Sequence, residues 1–136
     1  MTTIQCHCGA VQVELTGEPV AQFFCHCDDC QAVHGAAYVP VSMYRADAVK
    51  VTRGDPSTWK LKTMPRRTCT RCGTRVFAEP QGLGITGVSG FLLPKGTFTP
   101  TFHIQCQFAV RPVRDDLPHF KALPTQFGGS GETVEW

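Results

Sequence analysis

Short stretches in which apolar and polar residues alternate run along most of the chain and predict strands. Val11, Val13 and Leu15 alternate with polar residues, and this period of two places one face of a strand against a core. Similar patterns predict further strands at 39–43, 49–51, 59–61, 74–78, 83–88 and 101–104. The 13 glycines and 10 prolines suit many short strands joined by turns. We therefore predict an all-β fold of short antiparallel strands.

One segment, residues 28–34, could hold a short helix. Gly35 follows it, and glycine commonly ends helices. Asp28 and Asp29 stand at its start and belong to the residue types that favour the N-cap position. We predict at most one or two short helical turns in the chain, with an aspartate as the cap.

Length and charge narrow the class of protein. The 136 residues fit one domain, which we assign to residues 1–126, with the glycine-rich residues 127–136 as a C-terminal tail. A formal net charge of +2 is too small to indicate nucleic-acid binding. No apolar run approaches the roughly 18 residues of a membrane span, and the N-terminal residues lack a secretory signal pattern. We expect a cytoplasmic protein without nucleic-acid or membrane partners.

Seven of the eight cysteines lie in three clusters with the spacing of metal ligands. The clusters are Cys6-His-Cys8, Cys25-His-Cys-Asp-Asp-Cys30 and Cys69-Thr-Arg-Cys72. Zinc takes four tetrahedral ligands, and pairs of cysteines one or two residues apart can supply two of them from one turn. A cytosolic chain keeps its thiols reduced, so metal binding is favoured over a disulfide framework, an iron–sulfur cluster or buried free thiols.

Counting the ligands predicts one closed site and one open site. If each cluster stays whole, Cys6, Cys8, Cys69 and Cys72 complete one tetrahedron. Cys25, Cys27 and Cys30 then supply three ligands to a second site, unless His26, His34, His103 or Cys106 closes it. Structural zinc sites have four protein ligands, whereas catalytic sites keep a position open. We expect partial metal occupancy at the three-cysteine site.

The same residues resemble the glutathione-dependent formaldehyde-activating enzyme family, which also includes centromere protein V. The resemblance covers about residues 4 to 120. It rests on the segments Cys6-His-Cys-Gly-Ala-Val-Gln-Val-Glu14, Cys25-His-Cys-Asp-Asp-Cys30 with His34-Gly35-Ala36, Cys69-Thr-Arg-Cys-Gly-Thr74 and His103-Ile104.

The resemblance implies a fold, two metal sites and a reaction. The fold is an all-β zinc fold often called a β-tent. The resemblance implies two zinc ions: a structural zinc on Cys6, Cys8, Cys69 and Cys72, and a catalytic zinc on Cys25, Cys27 and Cys30. The implied activity is that of a carbon–sulfur lyase, which forms or breaks down S-hydroxymethylglutathione from a glutathione-like thiol and a small aldehyde.

Several positions depart from the family pattern. Gln31 stands where arginine is frequent, Thr68 replaces an aromatic residue, and the segment 90–94 lacks the usual acidic residue. The tryptophan common after the His-Ile segment is also missing. The metal ligands are therefore intact while the expected substrate-facing surface is altered.

Other candidate residues each have a structural alternative. We expect His26 to be a surface imidazole in a tight turn, His103 to be a packed histidine on a strand, and Cys106 to be a buried thiol. Phe23, Phe24 and Tyr38 could line the site or simply belong to the core. Six basic residues could receive substrate carboxylates or form a solvated strand edge. They are Lys60, Lys62, Arg66, Arg67, Arg71 and Arg75.

Two other function classes compete with an enzyme. The first is a non-catalytic zinc-binding module that carries a thiol ligand or engages a macromolecule. The second is a redox-sensing switch in which oxidation of the three-cysteine site releases metal. Binding without turnover would indicate the first, and reversible zinc release at mild peroxide would indicate the second.

Overall fold

The computed structural model describes all 136 residues and confirms a mainly β fold. The strands are β1 Thr2–Gln5, β2 Gln12–Leu15, β3 Ala21–Cys25, β4 Val39–Arg45, β5 Val49–Arg53, β6 Ser57–Leu61, β7 Met64–Thr68, β8 Arg75–Ala78, β9 Ile85–Ser89 and β10 Phe102–Ile104. Four single 3-10 turns lie at Ala46–Ala48, Gly90–Leu92, Cys106–Phe108 and Thr125–Phe127. Seven strands match predicted stretches, whereas β1, β3 and β7 were not predicted.

The single α-helix, α1, spans Asp28–His34 as predicted. Gly35 ends it with φ 60, a left-handed conformation that glycine adopts without steric cost. The prediction that an aspartate caps the helix is wrong, because Cys27 is the N-cap and its Sγ accepts a hydrogen bond from the Cys30 N–H. Asp28 and Asp29 lie in the first turn, where a negative charge favours the helix. The chain contains no helix with the length and apolar character needed to cross a membrane.

The chain divides into two compact units, and the first comprises residues 1–21 and 42–98. In this unit β1, β2 and β5 form an antiparallel sheet in the order β1-β2-β5, with Val13 opposite Ile4 and Val51. The strands β9, β8, β7 and β6 follow one another as antiparallel neighbours.

The core of the first unit is formed by the apolar faces of these strands. Val13 and Leu15 on β2 are fully buried, as the alternating pattern predicts, and so are Val76 and Val88. Burying such side chains contributes about 1.5–3 kcal/mol each. Cys6 and Cys69 belong to the same cluster of buried residues, so two metal-ligand candidates are anchored in this core.

The second unit comprises residues 22–41 and 99–136. Here β10 pairs in parallel with β3, which departs from the predicted antiparallel arrangement, with Phe102 opposite Phe23 and Ile104 opposite Cys25. Phe23 and Phe102 stack with ring centroids 5.3 Å apart, and Phe127 packs 5.9 Å from both. This aromatic cluster fixes the end of β3, from which the chain runs through Cys25 into α1.

The segment after β10 returns alongside it. His103 forms a parallel bridge with His119, and Phe120 an antiparallel bridge with Thr133. The backbone N–H of His103 donates to the Pro118 carbonyl at 2.9 Å. This return places residues distant in sequence beside β10.

Candidate functional site

In the first unit, two hairpin turns bring four cysteines together. Cys6 and Cys8 follow β1, and Cys69 and Cys72 follow β7. Their Sγ atoms all lie within 4.8 Å of one another. The structure thus groups the four residues that the sequence assigns to the closed site, and the group could hold a metal ion.

The sulfur–sulfur distances fit a tetrahedral metal centre. Sγ of Cys8 lies 3.7 Å from Sγ of Cys6 and 3.8 Å from Sγ of Cys69. Four sulfurs at about 2.3 Å from a zinc ion would be about 3.8 Å apart, whereas a disulfide bond is about 2.05 Å long. All eight cysteines are free thiols. The donor set therefore suits zinc.

Each hairpin turn directs backbone groups inward around the thiols. Gly9 and Gly73, which follow Cys8 and Cys72, have φ 80 and φ 77, conformations that side chains other than glycine rarely adopt. The Val11 N–H donates to Sγ of Cys6 at 3.2 Å. Such donors stabilise thiolates, which are the form that binds metal.

The thiols of this cluster compete for ionisation. Hydrogen bonds from the Thr74 hydroxyl and backbone lower the pKa of Cys72 to about 5. The Ala10 N–H also favours ionisation of Cys8, but desolvation and the neighbouring thiols outweigh it and raise the pKa of Cys8 to about 11. Negative charge on one sulfur opposes ionisation of the next, so a cation is needed for all four to be thiolates at neutral pH.

In the second unit, the three remaining clustered cysteines surround the start of α1. Cys25 ends β3, Cys27 caps α1 and Cys30 lies within it. Their Sγ atoms lie within 4.8 Å of one another, and those of Cys25 and Cys30 are 3.5 Å apart. The thiols of Cys27 and Cys30, together with burial, raise the pKa of Cys25 well above its ordinary value.

No fourth ligand from the chain completes this group. The cluster contains three cysteines and no additional histidine, aspartate or glutamate. Neither His26, His34, His103 nor Cys106 joins it. Three thiols that could hold a metal ion would leave one position of a tetrahedron for an external ligand.

His26 is buried, so the prediction of a surface imidazole is wrong. It is 0% exposed, and its Nε2 lies 2.9 Å from Nδ1 of His103. Burial, and then the neighbouring His103 and His119, lower the pKa of His26 to about 4. The ring stacks on Tyr38 at 4.9 Å and is neutral at neutral pH.

The hydrogen-bonded series runs from His26 through His103, which is buried on β10 as predicted, to Asp115, and His119 lies beside the same carboxylate. Nε2 of His103 lies 2.8 Å from Oδ2 of Asp115, and Nε2 of His119 lies 3.0 Å from Oδ1 of the same carboxylate. Burial lowers the pKa of His103, with Asp115 opposing this effect. Partial burial raises the pKa of Asp115, but hydrogen bonds from His103 and from the Leu117 N–H bring it below its ordinary value.

Sequence reasoning missed Asp115 and His119. They lie in a segment without strand or helix periodicity, and no ligand motif marks them. Their position depends on the return of the chain alongside β10, a long-range feature that local spacing does not encode.

Gln31, one of the departures from the family pattern, links two segments of the second unit. Its Nε2 donates to the carbonyls of His26 at 2.7 Å and Phe108 at 2.9 Å. The Phe24 ring packs against the rings of Tyr38 and His103, with centroid distances of 5.2 Å and 5.1 Å. These contacts hold the backbone beside Cys25 and Cys27 in place.

The basic stretch is partly engaged by protein partners. Arg67 pairs with Glu79 at 2.9 Å, Arg75 lies 5.5 Å from the Trp59 ring, and Arg66 is buried on β7. Lys60, Lys62 and Arg71 are exposed. Arg67 and Arg75 therefore contact protein groups, whereas Nε of the buried Arg66 has no hydrogen-bond partner. The lysines lie on or beside β6 at the end of the strand order, where they discourage edge pairing.

Cys106 lies outside both cysteine groups and is 5% exposed, as predicted. Burial, with a smaller effect of Asp115, raises the pKa of this thiol to about 12. We expect Cys106 of the folded, zinc-loaded protein to resist iodoacetamide at pH 8, because the thiolate is the reactive form. Peptide mass spectrometry of native and urea-unfolded samples would measure this, and labelling of Cys106 at equal rates in both would contradict it.

Comparison with known proteins identifies the family and a similar fold. The sequence model of the family described as glutathione-dependent formaldehyde-activating enzyme matches residues 1–108, a range that contains all seven clustered cysteines. A Rhodobacter sphaeroides protein of known crystal structure is similar in fold, with a TM-score of 0.58 at 22% sequence identity. That similarity covers 68% of this chain and 88% of the other. The chain belongs to the glutathione-dependent formaldehyde-activating enzyme family.

Proposed function

We propose that the chain is a zinc-dependent carbon–sulfur lyase-type enzyme that forms or breaks down S-hydroxymethylglutathione or a close analogue. Its substrates are a glutathione-like thiol and a small aldehyde. The observation that carries the proposal is the group of three thiols around the start of α1, without a fourth ligand from the chain. Family membership supports the substrate class.

Two zinc ions with different roles are part of the proposal. Cys6, Cys8, Cys69 and Cys72 would hold a structural ion, because four thiolates close a tetrahedron. Cys25, Cys27 and Cys30 would hold the catalytic ion and leave one position open. When bound there, zinc supplies a Lewis acid that lowers the pKa of a substrate thiol and keeps it as thiolate.

The surrounding residues would keep the three thiols in a fixed arrangement. The Cys30 N–H donates to Sγ of Cys27 at 3.2 Å. The His26 ring, held by His103 and Tyr38, fixes the backbone between Cys25 and Cys27. Such preorganisation reduces the motion needed before reaction.

The reaction needs no oxidant or reductant. In the direction of formation, the thiol sulfur bonds to the carbonyl carbon, the carbonyl π bond breaks, and the proton lost by sulfur ends on the former carbonyl oxygen. Breakdown is the reverse. Because this addition also proceeds without an enzyme, catalysis must appear as a faster approach to the same equilibrium.

Exchange NMR at equilibrium tests the proposal. We expect a catalytic amount of the zinc-loaded protein to increase the exchange rate between free glutathione and S-hydroxymethylglutathione by about tenfold or more, without changing their ratio. The matched control is Cys106→Ala, which alters a cysteine outside both groups.

A different outcome would identify the competing function. Binding of glutathione in proportion to protein, with the exchange rate unchanged, would overturn the enzymatic proposal and indicate a thiol carrier. Absence of both binding and exchange would exclude this substrate pair.

A further inference from the structure

Two histidines and an aspartate outside the cysteine groups bring their ligand atoms together. His103 lies on β10, His119 lies beside it through the parallel bridge, and Asp115 precedes His119 by four residues. Their ligand atoms all lie within 4.8 Å of one another. We propose that His103, Asp115 and His119 form a third metal site, which holds one divalent transition-metal ion.

The distances suit ligands that share an ion. Nε2 of His103 and Nε2 of His119 lie 2.8 and 3.0 Å from the two oxygens of Asp115. Nitrogen and oxygen ligands at about 2.0–2.2 Å from a metal ion are themselves about 2.8–3.6 Å apart, depending on the angle between them.

An unsatisfied nitrogen indicates that hydrogen bonding alone does not account for the cluster. Nε2 of His119 is buried and makes no hydrogen bond, although it lies 3.0 Å from Oδ1 of Asp115. His119 as a whole is 7% exposed. A buried polar atom without a partner is costly, and a metal ion would give this nitrogen a ligand role.

A second layer of contacts is also present. Histidines that bind metal usually donate their other ring N–H to a nearby acceptor. Nδ1 of His103 lies 2.9 Å from Nε2 of His26, so His103 can bind metal through Nε2 while Nδ1–H donates to His26. His26 then accepts at Nε2 and carries its own proton on Nδ1, a buried atom that has no hydrogen-bond partner.

The ligand types at this site indicate which ions it would bind, and the exposure of Asp115 indicates how an ion would enter. Two imidazoles and one carboxylate suit zinc or iron(II) rather than magnesium or calcium, which prefer oxygen ligands. The Asp115 side chain is 33% exposed, which gives a path for entry. Three protein ligands leave at least one position open.

Cobalt titration of protein already loaded with two equivalents of zinc tests the site. The ring of Trp136 lies 4.7 Å from His119, so its fluorescence reports a paramagnetic ion there; a Trp59→Phe background removes the other tryptophan. We expect one equivalent of Co²⁺ to quench Trp136 without the near-ultraviolet absorption of cobalt bound to thiolate. Calorimetry of the chain that retains Trp59 measures the same binding without fluorescence.

Variants then assign the ligands. Asp115→Asn keeps a side-chain acceptor for His103 but removes the charge, and we expect it and His119→Ala to weaken cobalt binding at least about tenfold. Asp116→Asn, an exposed neighbouring carboxylate, is the matched control and should bind as the parent does. Unchanged binding in folded Asp115→Asn, or no cobalt binding beyond the cysteine groups, would overturn the proposal and leave a hydrogen-bonded network.

Discussion

Replacing Cys69 with serine is expected to remove the metal ion from the four-cysteine group and to destabilise the first unit strongly. Cys69 is 2% exposed and belongs to the core cluster with Val13 and Val76. Structural zinc contributes folding free energy directly, because the unfolded chain lacks a preformed site. We expect the free energy of unfolding to fall by about 3 kcal/mol or more, which corresponds to a decrease of about 10 °C or more in Tm.

Thermal unfolding and zinc analysis of the same samples measure this effect. The control is Cys106→Ala, which removes a similarly buried thiol outside both metal groups and should cost only about 1–2 kcal/mol, with the zinc content unchanged. Treatment with a chelator should bring the parent close to Cys69→Ser. A Cys69→Ser protein with full zinc content and the stability of the control would contradict a structural role for this group.

The sequence predicts those features of the fold that depend on local chemistry. If each cysteine cluster stays whole, counting to four ligands groups Cys6 and Cys8 with Cys69 and Cys72, and the structure brings these four together. Gly35 marks the end of α1 correctly, because a left-handed residue is needed there. The alternating apolar and polar residues around Val13 correctly predict β2, because one face of that strand is buried.

Features that depend on long-range contacts were missed. Strand β3 has adjacent apolar residues, Phe23 and Phe24, rather than an alternating pattern, and β7 contains Pro65 and two arginines, one of them buried. His26 is held in the interior by two contacts. Its backbone N–H donates to the Ile104 carbonyl at 3.1 Å, and its ring Nε2 lies 2.9 Å from Nδ1 of His103. Neither contact has a counterpart in the sequence near position 26.

The N-cap of α1 departs from the local preference for aspartate. Asp28 and Asp29 are better capping residues than cysteine by type, yet Cys27 takes the position and accepts the Cys30 N–H. This arrangement points Cys27 and Cys30 toward Cys25. The helix start is therefore organised around the three thiols.

Replacing Cys27 with serine is expected to separate catalysis from folding. Serine is a strong N-cap, so α1 should keep its start while the second unit loses one thiol ligand. We expect the zinc content to fall by one ion per chain, the free energy of unfolding to change by about 1 kcal/mol or less, and the catalysed exchange rate to fall about 100-fold or more.

Three measurements on one preparation test this prediction: zinc analysis for the metal content, circular dichroism with thermal unfolding for the fold and its stability, and exchange NMR for the rate. Cys106→Ala is again the control for loss of a thiol. Because Cys27 lies in the second unit, the four-cysteine group should keep its ion, and the circular dichroism spectrum should match that of the parent. Loss of one zinc ion with an intact fold and an unchanged exchange rate would show that the three-cysteine site is not catalytic. Loss of the fold would instead show that this site, like the four-cysteine group, is structural.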